Sequence, residues 1–334
     1  MNISKELVKK YGNVFIDGAG VIDKKREIIS VSPKIDVAIG GGICSGSIVT
    51  LAGRPKCGKS LTAMCIARNA QRMGYHVFYV DIENRLKARD LEGINGLVAK
   101  DVEVIRSIKG KILNGEDHLS IIESIINDVP RSCIIADSIS QLCLEVEYTS
   151  NLEDRNRSPG SLLLSKFFKR NNGPIAINDS VLICIQHMVA NLSGTHGPMF
   201  VKSGGAKLTY AADLGLACKS VKYDRGNSKE GVNQKSIGQT VEWFVECSSL
   251  AAPGNTVESY IRYGTGICEV TENISLGIDF GLIEAAGAGW LTLKYLGDEP
   301  KKIQGQEKLF NYFSGEDGKE DYEKLRTSIG KILS

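Results

Sequence analysis

The segment GRPKCGKS spans residues 53–60, with Gly53 and Gly58 bracketing Arg54, Pro55, Lys56 and Cys57, and with Lys59 and Ser60 directly behind the second glycine. Glycines let a backbone wrap closely around phosphate oxygens and turn its N–H groups inward. A helix that begins where the loop ends adds the positive end of its dipole. In such a loop Lys59 reaches the β- and γ-phosphates, and the Ser60 hydroxyl coordinates Mg²⁺. Residues 53–60, with Leu61 in the first turn of the next helix, are therefore expected to hold ATP together with Mg²⁺.

Hydrolysis asks for two further groups: a carboxylate on the metal side and a residue that orients or deprotonates water. Asp137 closes the apolar run CIIADS, so Ser60 and Asp137 form the expected metal pair. Glu83, in YVDIEN, is the candidate to act on water and, with Lys59, to carry catalysis, while Asp81 competes for Glu83's role. Gln186 ends the run VLICIQ, where it either senses the γ-phosphate or satisfies its hydrogen bonds as an ordinary core residue. These candidates fall at or just past the carboxyl ends of strand-like runs, where ligands bind in parallel sheets.

The elements that must position them are short. SIVTLAG (47–53) reads as a strand feeding the glycine loop, and residues 59–73 read as the helix behind it, with Leu61, Met64, Cys65, Arg68 and Met73 near helical spacing. HVFYVD (76–81), VEVI (102–105), SCIIAD (132–137) and VLICIQ (181–186) are β-branched runs with little polar alternation, the pattern of central parallel strands buried on both faces. Helices lie between them, most clearly over 117–129, where Leu119, Ile122, Ile125, Ile126 and Val129 share one face. The alternation predicts an α/β fold with a doubly wound, mostly parallel sheet. Beyond residue 210 the pattern changes to strand, turn-rich loop, strand, which predicts an antiparallel extension. Residues 1–34 read as a short N-terminal module with a helix over 3–10 and a strand over 13–16. Residues 268–334 read as a small C-terminal domain with helices near 270–280, 306–313 and 319–332.

Composition narrows the class. The 334 residues are 42% hydrophobic and 7% aromatic, within the range of globular proteins. No apolar run approaches the ~20 residues of a membrane span. The first residues lack the apolar stretch of a secretory signal, so a cytoplasmic location is expected. The nine cysteines are odd in number and form no CxxC, so they read as small buried hydrophobes in a reducing compartment. The four histidines have no metal-ligand spacing, which argues against zinc. A net charge of +2 neither supports nor excludes a nucleic-acid partner.

At this point the chain resembles the RecA recombinase family, including the UvsX recombinases of large phages. SPKIDVAIGGGICSGSIVTLAGRPKCGKS resembles the family's approach to its phosphate loop, VFYVDIENRL its catalytic-glutamate segment and IIADSISQL its second nucleotide motif. LICIQHM resembles the strand carrying its glutamine switch, and SGGAKLTYAADLGL the end of its second DNA loop. SSLAAP, YGTGI and LGIDFGLIEAAGAGW resemble the passage into its C-terminal domain. These pieces occur in the family's order and at similar spacing, and the last three separate it from P-loop proteins in general.

The resemblance implies a RecA-like ATPase core over 35–267, an oligomerisation module over 1–34 and a C-terminal domain over 268–334. It implies ATP bound between subunits of a helical filament on single-stranded DNA, pairing with homologous double-stranded DNA, and strand exchange with DNA-stimulated hydrolysis. Single-stranded-DNA-binding and mediator proteins would be further partners. Gln186 would couple the γ-phosphate to DNA through two loops, about 147–159 and 188–207. Arg155 and Arg157 in the first, and Met199, Phe200, Lys202, Gly204, Gly205 and Lys207 in the second, supply basic, planar or flexible groups for phosphates and bases. The helix and strand over 3–16 would dock on the neighbouring subunit.

The chain also departs from the family. Two lysines that reach a neighbour's ATP are replaced by Cys247 and Ser249, leaving Lys235 or a bound cation as substitutes. Lys87 and Asp90 stand at adenine-contacting positions, Glu242 stands where a second DNA site is basic, and the acidic C-terminal tail is missing. These departures keep two alternatives in view: a single-stranded-DNA-binding paralogue or mediator with weak ATPase, and a helicase or helicase loader built on the same core.

Overall fold

The computed structural model describes residues 5–12, 14, 16–23, 25–151, 160–191, 200–202, 206–225, 236–297 and 300–333. A ten-stranded sheet organises them. In chain order its strands are β1 (Ile48–Gly53), β2 (His76–Asp81), β3 (Val102–Ile105), β4 (Ser132–Asp137), β5 (Val181–Ala190), β6 (Phe200–Lys202), β7 (Leu214–Asp224), β8 (Gly238–Ser248), β9 (Thr256–Arg262) and β10 (Gly266–Ile267). Across the sheet the order is β10-β9-β8-β7-β1-β5-β4-β2-β3, with β6 paired to the far end of β5.

From β7 to β3 the pairs are parallel. From β7 outward through β8, β9 and β10 they are antiparallel. The expected antiparallel extension is present, and its first strand, β7, is parallel to β1.

Alternate residues of each parallel strand feed opposite cores, as the period of two requires. Val49 and Leu51, Val77 and Tyr79, Cys133 and Ile135, and Ile183 and Ile185 enter one cluster, covered by the helix Lys59–Arg72. Ile48, Phe78 and Val80, Ile134 and Ala136, and Leu182 and Cys184 enter the other, covered by the helices Gly115–Asp128 and Gly160–Ile177. Ile29 and Val31 are fully buried in the first cluster, so its packing begins before residue 35.

Two elements differ from the sequence reading. β3 is an edge strand rather than a central one, and Glu103 and Val104 are exposed there. Its single acid was the sign of a solvated edge. The helix Gly160–Ile177 carries Pro174 in its last turn, where it forfeits one i→i−4 hydrogen bond, and the Gly-Pro pair disguises the helix in the sequence.

A third cluster gathers Ile274, Leu276, Ile283, Leu293, Leu309, Phe313 and Leu325. It is built by the helices Glu269–Asp279, Gln306–Ser314 and Lys319–Leu333 around an antiparallel sheet of β11 (Ile283–Ala286), β12 (Trp290–Leu293) and β13 (Lys301–Gln304). Near the N-terminus two short helices are present, Lys5–Tyr11 and Gly18–Asp23. Positions 13 and 15 of the expected strand lie outside the described residues. Among the described residues no helix is long and apolar enough to cross a membrane.

Candidate nucleotide-binding site

β1 ends at Gly53, and the chain turns through Lys56 (φ 63°) and Gly58 (φ 98°) into the helix that starts at Lys59. Both φ values lie in the left-handed region, and at Gly58 space also forbids a side chain. A Cβ there would lie 2.6 Å from Ile261 Cδ1 and 3.0 Å from Gln239 Nε2. Gln239 in turn accepts a hydrogen bond from Tyr263 Oη at 2.9 Å. β8 and the end of β9 thus wall the loop's outer side, a boundary that sequence reasoning missed because these residues are far away in the chain. Lys59 is buried at 5% exposure, and its Nζ donates to the carbonyls of Gly53 (3.0 Å) and Arg54 (2.9 Å).

Facing the loop, the Ser60 hydroxyl donates to Asp137 Oδ2 at 2.6 Å, and Tyr79 Oη donates to the same oxygen at 2.5 Å. Burial pushes the Asp137 carboxyl above its ordinary value, against the pull of the two hydroxyl donors. The Ser60–Asp137 pair fits a magnesium ion: both are oxygen ligands, they face each other, and a buried carboxyl pushed upward gains from an adjacent cation. Among the described residues no group of three or more His, Cys, Asp or Glu side chains can hold a metal. A cation here would complete its shell with phosphate and water oxygens, as Mg²⁺ commonly does.

Glu83 lies beside this pair. Its Oε1 accepts from Ser138 Oγ (2.8 Å) and meets His187 Nε2 (2.7 Å), while Arg85 stands 3.2 Å from Oε2. Burial acts to raise the carboxyl, but the hydrogen bonds to His187 and Ser138 and the Arg85 charge outweigh it and hold Glu83 below the ordinary range. With Glu83 ionised, His187 Nε2 must carry the proton it donates. Ser138 follows Asp137 through a cis peptide, and Ser140 Oγ accepts from the His187 backbone N–H at 2.9 Å. Asp81 is engaged elsewhere. It is buried, it accepts from the N–H groups of Arg85 (2.9 Å) and Leu86 (3.0 Å), and Arg106 stands 3.5 Å away. It shapes the turn after β2, and Glu83 is the acid that faces the loop strand's neighbours.

Gln186 and His187 sit opposite Ala52 and Gly53 of β1. Consecutive strand residues point to opposite faces. Gln186 is fully buried, and His187 is the one that meets Glu83. Sequence reasoning named Gln186 and missed His187. The signal available was the strand's period of two, which cannot place both residues on the Glu83 side.

The second expected DNA loop is partly a hairpin. β5 continues to Ala190, and Met188, Val189 and Ala190 pair with Lys202, Val201 and Phe200 of β6. Lys202 Nζ is ion-paired with Glu246 and lies 3.4 Å from Thr209 Oγ1, so its charge is already engaged. Lys207 belongs to the helix Ala206–Ala211. Residues 147–149 of the first loop lie in the helix Glu145–Thr149. Arg155, Arg157, Met199, Gly204, Gly205 and Lys235 lie outside the described residues. At the positions that depart from the family, Cys247 Sγ donates to Ala212 O at 3.5 Å, Ser249 is exposed, and Glu242 accepts from Ser220 Oγ at 2.7 Å. Asp90 accepts from its own helix start, the N–H of Lys87, at 2.9 Å.

Residues 2–268 match the family model of the RecA N-terminal domain. The chain is similar to DNA repair protein recA homolog 3, mitochondrial, of Arabidopsis thaliana, with 26% identity over 281 residues, covering 83% of this chain and 63% of that protein. It is similar to Protein RecA of Phytoplasma mali, with 26% identity over 294 residues, 87% of this chain and 83% of that protein. Against Protein RecA of Mycobacterium marinum the identity is 24% over 332 residues, 97% of this chain and 90% of that protein. With a family model matching residues 2–268, most of its length, the chain belongs to the RecA family.

Proposed function

We propose that this protein is an ATP-dependent recombinase that assembles on single-stranded DNA and exchanges it into homologous duplex, hydrolysing ATP as it does so. The observation that carries the reading is the continuity from the site to the hairpin. Glu83 is bound to His187, and His187 is followed immediately by the residues of β5 that pair with β6. A change at the γ-phosphate therefore has a covalent and hydrogen-bonded route into residues 188–207.

In this reading the backbone of 53–60 and Lys59 bind the phosphates, and Lys59 exchanges a loop carbonyl for a phosphate oxygen. Ser60 and Asp137 hold Mg²⁺, which when bound neutralises phosphate charge. Glu83 orients the attacking water and accepts its proton. His187 holds Glu83 and takes the coupling role expected of Gln186. Lys202 contributes to DNA only if it leaves Glu246, and Arg155, Arg157 and Lys207 remain proposed phosphate contacts. Self-association through the N-terminal segment is supported by its exposed apolar side chains, Val14, Ile16, Val21 and Ile22.

Exchange between circular single-stranded DNA and homologous linear duplex, with ATP and Mg²⁺, tests the proposal. ATP-dependent joint molecules are expected, and their absence at every salt concentration would overturn it. A second reading, a DNA-coating paralogue with weak turnover, is favoured by the uncharged Cys247 and Ser249. Strong DNA-stimulated ATP turnover would reject it.

A further inference from the structure

All nine cysteines are reduced, and two of them meet at the phosphate loop. Cys57 directly precedes the Gly58 turn. Cys218 follows Ala217 on β7, and Ala217 is paired with Ala52 at the end of β1. A Cβ placed on Gly53 would lie 2.5 Å from Cys57 Sγ and 2.9 Å from Cys218 Cβ, so the two side chains flank a single point that only a glycine leaves open. Cys218 Sγ donates to Ser220 O at 3.7 Å, and Lys59 Nζ donates to Cys57 Sγ at 3.8 Å. Cys65, Cys133 and Cys184, by contrast, are sealed in the apolar cores.

The Cys218 side chain beside it lowers the Cys57 thiol, against burial and with help from the Lys59 ammonium. Cys57 and burial push the Cys218 thiol up. A thiolate held beside a thiol is the arrangement that reacts with oxidants. Cys57 itself is 3% exposed, but Cys218 is half-buried and loop residues 54–56 are exposed, which leaves a small oxidant a route to the pair.

We propose that Cys57 and Cys218 are a redox-modification site, forming a reversible disulfide with a hydroperoxide as oxidant, and that this bond closes the phosphate loop to nucleotide. The thiolate sulfur attacks the terminal peroxide oxygen. The O–O bond breaks, the displaced oxygen leaves as water or alcohol after taking a proton, and the sulfur becomes a sulfenic acid. The second thiol attacks that sulfur, the S–S bond forms, and water leaves. The two thiols together lose two electrons and two protons, and the peroxide takes up both. The product ties Cys57 to β7 one residue before the Gly58 turn, fixing the backbone N–H groups that must turn toward phosphate. The nucleotide half of this inference rests on reading residues 53–60 as an ATP site.

The test uses the full chain, treated with hydrogen peroxide and then digested without reductant for mass spectrometry. A linked peptide pair containing Cys57 and Cys218 is expected. Affinity for a fluorescent ATP analogue is expected to fall ~10-fold or more and to return with dithiothreitol, a loss of the size of one charge-assisted contact. Cys218→Ser, which leaves the loop's own residues in place, is expected to bind the analogue as the reduced protein does and to ignore peroxide. Absence of the linked pair while other cysteines oxidise would overturn the site. A linked pair with unchanged affinity would overturn the closure, as would a peroxide effect that persists in Cys218→Ser. Failure of the reduced protein to bind the analogue would sink the ATP reading instead, and the peptide map would still judge the thiol pair.

Discussion

Glu83 and two acids buried outside the site are treated in opposite ways, and Asp137, beside Glu83, follows the second pattern because burial outweighs its hydroxyl donors. At the carboxyl ends of the parallel strands, Glu83 has His187, Ser138 and Arg85 around it and is held below the ordinary range. At the seam between the main core and the C-terminal cluster, Glu272 accepts from Ser259 Oγ (2.6 Å), Tyr260 N–H (3.2 Å) and Lys34 N–H (3.0 Å). Asp36, nearby, accepts from Ser30 Oγ (2.5 Å) and Val31 N–H (2.8 Å). These donors are uncharged, and burial pushes both seam acids upward, Asp36 to about 7. Burial raises a carboxyl; at the seam the neutral donors do not outweigh it, whereas at Glu83 the His187, Ser138 and Arg85 partners do. The site keeps an acid charged for use, whereas the seam buries its acids as hydrogen-bond hubs. Changes at the first should therefore move chemistry, and changes at the second should move stability.

The largest effect is expected at Lys59. Lys59→Ala removes the buried ammonium of the phosphate loop, and affinity for ATP should fall ~10²-fold or more, the loss of a charge-assisted contact to phosphate. Isothermal titration of the variant with ATP and Mg²⁺ checks this, and affinity within a factor of two of the parent would remove Lys59 from the site. Next is Glu83→Gln. The amide oxygen can still accept from Ser138 and His187, so binding should persist while turnover falls ~10²-fold for want of a base. Near-normal turnover would move the base elsewhere and break the contrast between the two regions.

His187→Ala is expected to lower turnover ~10-fold, about the worth of a hydrogen bond to a charged group. Its distinguishing readout is the pH profile. His187 is the first of the partners that hold Glu83 down, so without it the carboxyl rises and the acidic limb of kcat moves to higher pH. His187→Gln keeps an N–H donor and should lose less. An unmoved acidic limb would make His187 a packing residue only.

Much of this arrangement was legible in the sequence because it is local or repeats with a short period. Gly53, Gly58, Lys59 and Ser60 announce themselves by spacing, and Asp137 by ending an apolar run, so all were expected at the carboxyl ends of strands. Asp81 and Glu83 were inseparable on sequence, since both follow the same strand. Only the turn, where Asp81 takes two backbone N–H groups, tells them apart. His187, Tyr79, Gln239 and Cys218 were hidden for a different reason. Each reaches the site through pairing or contact between elements far apart in the chain, and no local pattern reports register. The seam was hidden likewise: Lys34 and Glu272 are 238 residues apart yet hydrogen-bonded.

The smallest expected effect belongs to the seam and concerns pH. Asp36 has a folded pKa of about 7, above the ~3.9 of an unfolded chain. Below pH ~4 the carboxyl is protonated in both states and contributes no pH dependence. Between ~4 and 7 the unfolded chain has released a proton that the fold retains, so stability falls as pH rises through this window and levels off above it. Asp36 is partly exposed, so water relieves some of the penalty, and about 1 kcal/mol is the reasonable scale. Asp36→Asn keeps an acceptor for Val31 and removes the titration. It should be more stable than the parent at pH 8, by roughly 2 °C in Tm, and show no such gain at pH 4. ATP turnover should be unchanged, because Asp36 touches nothing at the strand ends. A variant destabilised equally at both pH values would make Asp36 an ionised anchor. A variant with altered turnover would couple the seam to the site, and the two regions would no longer be independent.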